Sequence, residues 1–123
     1  MKHMKNILLI LILLCSFSCR KEQYNLHVSR PQGCDSLLFT FEENIIPIFS
    51  LNCNFTECHA TSGEGSYDFT KYSVVADRIR AGTMEYRLDL PFEDPQHMPE
   101  KMKLNDCDYY TIKTWINQGY PEK

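Results

Sequence analysis

Apolar side chains recur along this chain at helical intervals in three places. Leu38, Phe41, Ile45, Ile48 and Phe49 are separated by three, four, three and one positions, which sets them on one helical stripe. The spacing predicts a first helix ending near Leu51, with Thr40 and Glu43 placed as a capping box at its start. Pro47 has no amide hydrogen and crowds the carbonyl four residues back, so it is expected to kink or restart that helix. From Thr70, a good N-cap, Tyr72, Val75 and Ile79 predict a shorter second helix closed by Gly82. Residues 83–103 hold Pro91, Pro95 and Pro99 and no sustained period, and read as a long loop. The last helix is the clearest. Asn105 caps it, Asp106 and Asp108 suit the positive end of its dipole, and Tyr109, Ile112, Trp115 and Ile116 form its apolar face before Gly119 and Pro121 stop it. Trp115, an aromatic at helical spacing, reads as core.

The pattern changes at the N-terminus. Lys2 and Lys5 precede an unbroken apolar run over residues 7–14, the form of an export signal. The run falls short of the roughly 20 apolar residues that span a bilayer. It ends in Cys15, Ser16, Phe17, Ser18, Cys19, which resembles a bacterial lipobox, with Cys19 the expected acyl acceptor and Cys15 the alternative; an ordinary signal-peptidase site is the plainer reading. Residues 1–18 are thus expected to be a lipoprotein signal peptide, 19–35 a polar linker from the lipid anchor, and 36–123 the folded domain. His27 falls in the linker and reads as solvated. Acyl chains would tether the domain to a membrane outside the cytoplasm.

Charge narrows the partners. The whole chain carries a net charge of -3, and a chain beginning at Cys19 loses Lys2 and Lys5, leaving 11 basic against 16 acidic residues and a net charge of -5. With no basic run interleaved with aromatics, nucleic acid is not an expected partner. A single domain of this size has a limited core and gains from a covalent or cofactor staple.

Candidate chemistry centres on Cys53, Asn54, Phe55, Thr56, Glu57, Cys58 and His59. Two thiols ending in Cys-His form the signature of c-type haem attachment: the thiols add to the haem vinyl groups and the imidazole reaches the iron. The usual signature spaces the cysteines by two residues; this chain spaces them by four. A structural disulfide between Cys53 and Cys58 is an alternative in an oxidising compartment. Zinc is another, needing further ligands from Cys34, Cys107 or His97. A free reactive thiol suits an exported protein least.

Ile45, Pro47, Ile48 and Phe49, then Asn52-Cys53, Cys58-His59, Met98-Pro99, and finally Trp115-Ile116 with Gly119 stand in an order that resembles the class I cytochrome c superfamily. It is most similar to short exported lipoprotein cytochrome domains, some with the four-residue spacing, and covers about residues 36 to 121. The resemblance implies an all-α, cytochrome c-like domain of about three helices with a long loop carrying the distal ligand. It implies one covalent haem c on Cys53 and Cys58, with His59 and Met98 as axial ligands. Met84 and Met102 lie near and read as gap fillers; His97 is the alternative distal ligand, and would lower the reduction potential. Crossed terminal helices in that family imply a disulfide between Cys34 and Cys107.

The expected function is extracytoplasmic single-electron transfer between redox proteins, without catalysis. Two alternatives are a catalytic or gas- or peroxide-sensing haem protein with an open distal site, and a haem-free, disulfide-stapled interaction module.

Overall fold

The computed structural model describes residues 30–34, 38–56, 58–59, 67–100 and 102–123. The expected signal peptide, the acyl acceptors Cys19 and Cys15, and His27 lie outside the described residues. Among those described, the secondary structure is all helical: a π-helical turn Phe41–Ile45 running into α1 (Ile46–Asn52), then α2 (Tyr72–Arg80), α3 (Thr83–Asp89) and α4 (Asp106–Asn117).

Pro47 explains the irregular start. With no N–H to give and a ring pressing on the turn before it, it cannot continue a regular helix from residue 41. The Ile45 and Ile46 amides reach five residues back, to Thr40 O and Phe41 O, and α1 restarts with Pro47 in its first turn. Thr40 Oγ1 accepts from the Glu43 amide at 3.3 Å, but the reciprocal bond of the expected capping box comes from Asn44: its Oδ1 accepts from the Thr40 amide at 2.9 Å. Leu38 lies outside the helix and is exposed, while its neighbour Phe39 is buried.

Thr70 does not cap α2. Its hydroxyl bonds Asp68 Oδ1 at 2.6 Å, and Lys71 precedes the helix without a side-chain cap. Gly82, at φ 71°, ends α2 in the left-handed region and aims the chain straight into α3. The segment expected to be a loop therefore begins with a two-turn helix. Its apolar side is only Met84 and Leu88, too little for sequence periodicity to show.

What fixes α3 is a cation in α4. Lys113 is fully buried, and its Nζ bonds Glu85 Oε1 at 2.7 Å and Asp89 Oδ2 at 2.8 Å, one turn apart on α3. Tyr109 adds an O–H bond to Asp89 Oδ1 at 2.7 Å. Burial works against the Lys113 ammonium, yet its bonds to Asp89 and Glu85 outweigh that and hold its pKa above the ordinary lysine value.

The core gathers Phe41, Ile45, Phe49, Val75, Ile79, Met84, Ile112 and Trp115. Trp115 is fully enclosed, donates from Nε1 to Pro121 O at 2.9 Å, and packs against Phe41 and Tyr120. Cys34 and Cys107 are joined by a disulfide across 73 residues of sequence, with Cα atoms 5.6 Å apart.

Candidate functional site

The segment carrying Cys53, Cys58 and His59 begins as α1 ends. Cys53 and Asn54 both donate their amides to Phe49 O, at 2.8 and 2.9 Å, closing the helix. A tight turn follows, with the Cys58 amide on Phe55 O at 2.8 Å. The His59 amide then returns to Cys53 O at 3.2 Å. Six residues on, the chain is back beside the first thiol, so the four-residue gap is taken up by a turn rather than by extending the chain.

Side chains fix this loop to the domain. Asn52 Nδ2 bonds Ile48 O at 2.9 Å and Asp108 Oδ2 of α4 at 3.3 Å. Asn54 Nδ2 reaches Asp68 Oδ1 at 3.4 Å, and the Asp68 carboxylate, bonded by the Thr70 hydroxyl and amide, sits below the usual carboxylate range. Beside it, Phe69 stacks on the His59 ring, centroids 4.2 Å apart and planes 16° from parallel, and rests on Phe49. One face of the imidazole is therefore held by an aromatic wall continuous with the core.

Cys53 and Cys58 are both free thiols and half-buried, in a chain whose Cys34 and Cys107 are oxidised. Burial, the neighbouring Cys58 and then Asp108 push the Cys53 thiol up to about 12, so it stays protonated near neutral pH. The disulfide reading of the pair is not what the structure holds. Cys34 and Cys107 are spent on each other, which removes two of the ligands that zinc could have used. Two free thiols followed by an imidazole remain a donor set suited to thioether attachment and axial ligation of a porphyrin.

Met98 and His97 stand on a different segment, after α3, and differ in burial. The His97 ring is buried, its Nδ1 lies 2.8 Å from Leu90 O, and its edge meets Phe92. A carbonyl only accepts, so Nδ1 carries the proton and Nε2 the lone pair. That Nε2 is enclosed by protein with no partner among the described residues. Met98 is half-buried, its amide donates to Arg87 O at 3.1 Å, and the bond to Pro99 is cis. Met84 belongs to the core and Met102 is exposed.

Three participants escaped sequence reasoning: Phe69 against His59, the inward turn of His97, and the Lys113 cluster behind α3. Only Lys113 left a trace, as a lone cation among the apolar positions of α4. Leu51 and Phe55, two positions either side of Cys53 in the sequence, are exposed apolar side chains. Comparison with protein-family models, with curated proteins and with solved structures finds no match to this chain.

Proposed function

We propose that this protein is a monohaem c-type cytochrome of the cell envelope that passes single electrons between extracytoplasmic redox proteins, held to a membrane by a lipid on Cys19. The observation that carries the reading is the pair of free thiols, Cys53 and Cys58, followed at once by His59, in a domain that oxidises its other two described cysteines. A haem bound there supplies a reversible one-electron iron couple.

The residues divide the work. Cys53 and Cys58 form the thioethers. Burial keeps the Cys53 thiol protonated beforehand, and a thioether sulfur would neither titrate nor form a disulfide. His59 would be the nitrogen ligand, with Phe69 stacked on one face of its ring and its backbone amide bonded to Cys53 O. Met98 would supply the thioether ligand. The partial exposure of Met98 supports it over His97, whose two ring nitrogens are both turned into protein. Leu51 and Phe55 are exposed apolar side chains that a bound haem would have available to cover, and ligands from both His59 and Met98 would suit electron transfer rather than substrate binding. The acidic balance of the chain favours a basic partner by long-range attraction.

The test is intact mass and acid-solvent extraction of the full chain produced in a host with cytochrome maturation machinery. The expected product carries the mass of one haem and keeps its colour in the protein phase. A colourless protein, or colour that leaves with the solvent, overturns the proposal and favours the haem-free module. A high-spin oxidised spectrum with ready carbon monoxide binding favours the open-site haem protein instead.

A further inference from the structure

Met98 ends a segment that is tied back on itself. Beyond α3, the Asp94 amide bonds Pro91 O and the His97 amide bonds Asp94 O, both at 2.9 Å, and the Gln96 amide bonds Asp94 Oδ1 at 2.8 Å. The Met98 amide then closes the strap on Arg87 O in α3 at 3.1 Å. Side chains close the strap as well: the Tyr86 hydroxyl of α3 donates to Gln96 Oε1 at 3.4 Å, and the buried His97 Nδ1–H donates to Leu90 O at 2.8 Å.

His97 is an expensive way to fill that space. It is nine-tenths buried, and its Nε2 is enclosed with no partner among the described residues. An unbonded interior nitrogen costs stability that an apolar side chain of similar size would not. The compensation is the directional bond that only the other ring nitrogen makes. Leu90, which receives it, directly follows α3, and α3 is fixed to α4 by the Lys113 bonds to Glu85 and Asp89. The strap is thereby referenced to the core rather than left to swing.

We infer that His97 is the positioning residue for the distal ligand: by clasping Leu90 O it turns its own ring into the protein and presents the neighbouring Met98 thioether at a fixed place. Side chains of adjacent residues leave the chain in different directions, so burying one imidazole sets where the next side chain can go. The inference rests on the cytochrome reading, with Met98 as ligand.

The experiment compares His97→Leu and His97→Asn with wild type, all as full-length, haem-loaded protein. Asparagine keeps an N–H donor close to the place of Nδ1, whereas leucine fills the volume without one. Wild type and His97→Asn are expected to show the methionine–iron charge-transfer band in the oxidised state and to bind added imidazole equally weakly. His97→Leu is expected to lose intensity in that band and to bind imidazole about fivefold more tightly, the effect of one net hydrogen bond. If His97→Leu matches wild type in both readouts, the clasp is overturned. If wild type shows a bis-imidazole spectrum that His97→Leu abolishes, it is overturned too, because His97 is then itself the ligand. Should His97→Leu not fold, His97→Gln replaces it, its amide one carbon too far out; equality with wild type again overturns the clasp. Wild type without attached haem takes down the cytochrome reading, and the clasp with it, and is told apart by its lack of colour.

Discussion

Cys34 and Cys107 are joined to each other, whereas Cys53 and Cys58 are free thiols. At the first region a disulfide joins the chain's two flanks, Phe39 meets Tyr110 edge-on, and Phe41 packs between Tyr72 and Trp115. The Phe41 and Glu42 amides donate to Pro121 O and Glu122 O at 3.0 and 3.2 Å, and Tyr72 Oη donates to Tyr120 O at 3.0 Å. At the second region the backbone bonds are local, the thiols are free, and Leu51 and Phe55 face outward. The difference separates a scaffold closed by contacts between distant stretches from a loop whose backbone closes on itself and leaves its two thiols uncommitted.

Trp115→Ala should strike the closed region hardest. It empties a fully buried site and strands the Pro121 carbonyl, and is expected to cost about 4 to 5 kcal/mol in denaturant titration. A cost under about 1 kcal/mol would show that the terminal cluster is not the keystone. Next comes Cys34→Ser with Cys107→Ser: reopening a 73-residue separation is expected to cost about 4 kcal/mol in the chain-entropy account. If the double variant is as stable as the reduced-alkylated wild type and both equal the oxidised protein, the disulfide is an ornament.

The open region gives smaller effects. In protein made without haem, Cys53 is pushed up to about 12 by burial, above its ordinary 9.0, so folding favours the neutral thiol. That contribution is fully present below pH 9 and is lost as pH rises toward 12. Stability of the haem-free protein should therefore fall over this window, and Cys53→Ala should remove that part of the fall. The smallest effect is expected from Phe55→Ala in the haem-free protein, within about 0.5 kcal/mol, because the ring is exposed. A loss of several kcal/mol there would erase the contrast between the two regions.

Legibility in the sequence follows the same division. α4 could be read outright: Asn105 Oδ1 accepts from the Asp108 amide at 2.9 Å, Ile112, Trp115 and Ile116 are buried, and Gly119 sits at φ 87°. These are local signals, carried within a few residues of one another. The helical class and the restart at Pro47 were legible for the same reason. α3 was not, because its stability comes from Lys113, 24 and 28 positions away from Asp89 and Glu85. At the site, Cys53, Cys58 and His59 announce themselves by adjacency. Phe69 and the inward His97 depend on which way a loop turns, and no periodicity reports that. Tyr109, expected on the apolar face, is instead tied by its hydroxyl to Asp89, and Tyr110 takes the buried position.

The bonds from Phe41 and Glu42 to Pro121 and Glu122 also bear on how the molecule is made. A chain still being made lacks the partners of the turn at Phe41 and Glu42 until Pro121 and Glu122 are available. Closure waits for that later stretch, as expected when contacts join distant parts of a chain. Throughout that interval the thiols at positions 53 and 58 lie in an unclosed polypeptide, within reach of any enzyme that modifies them.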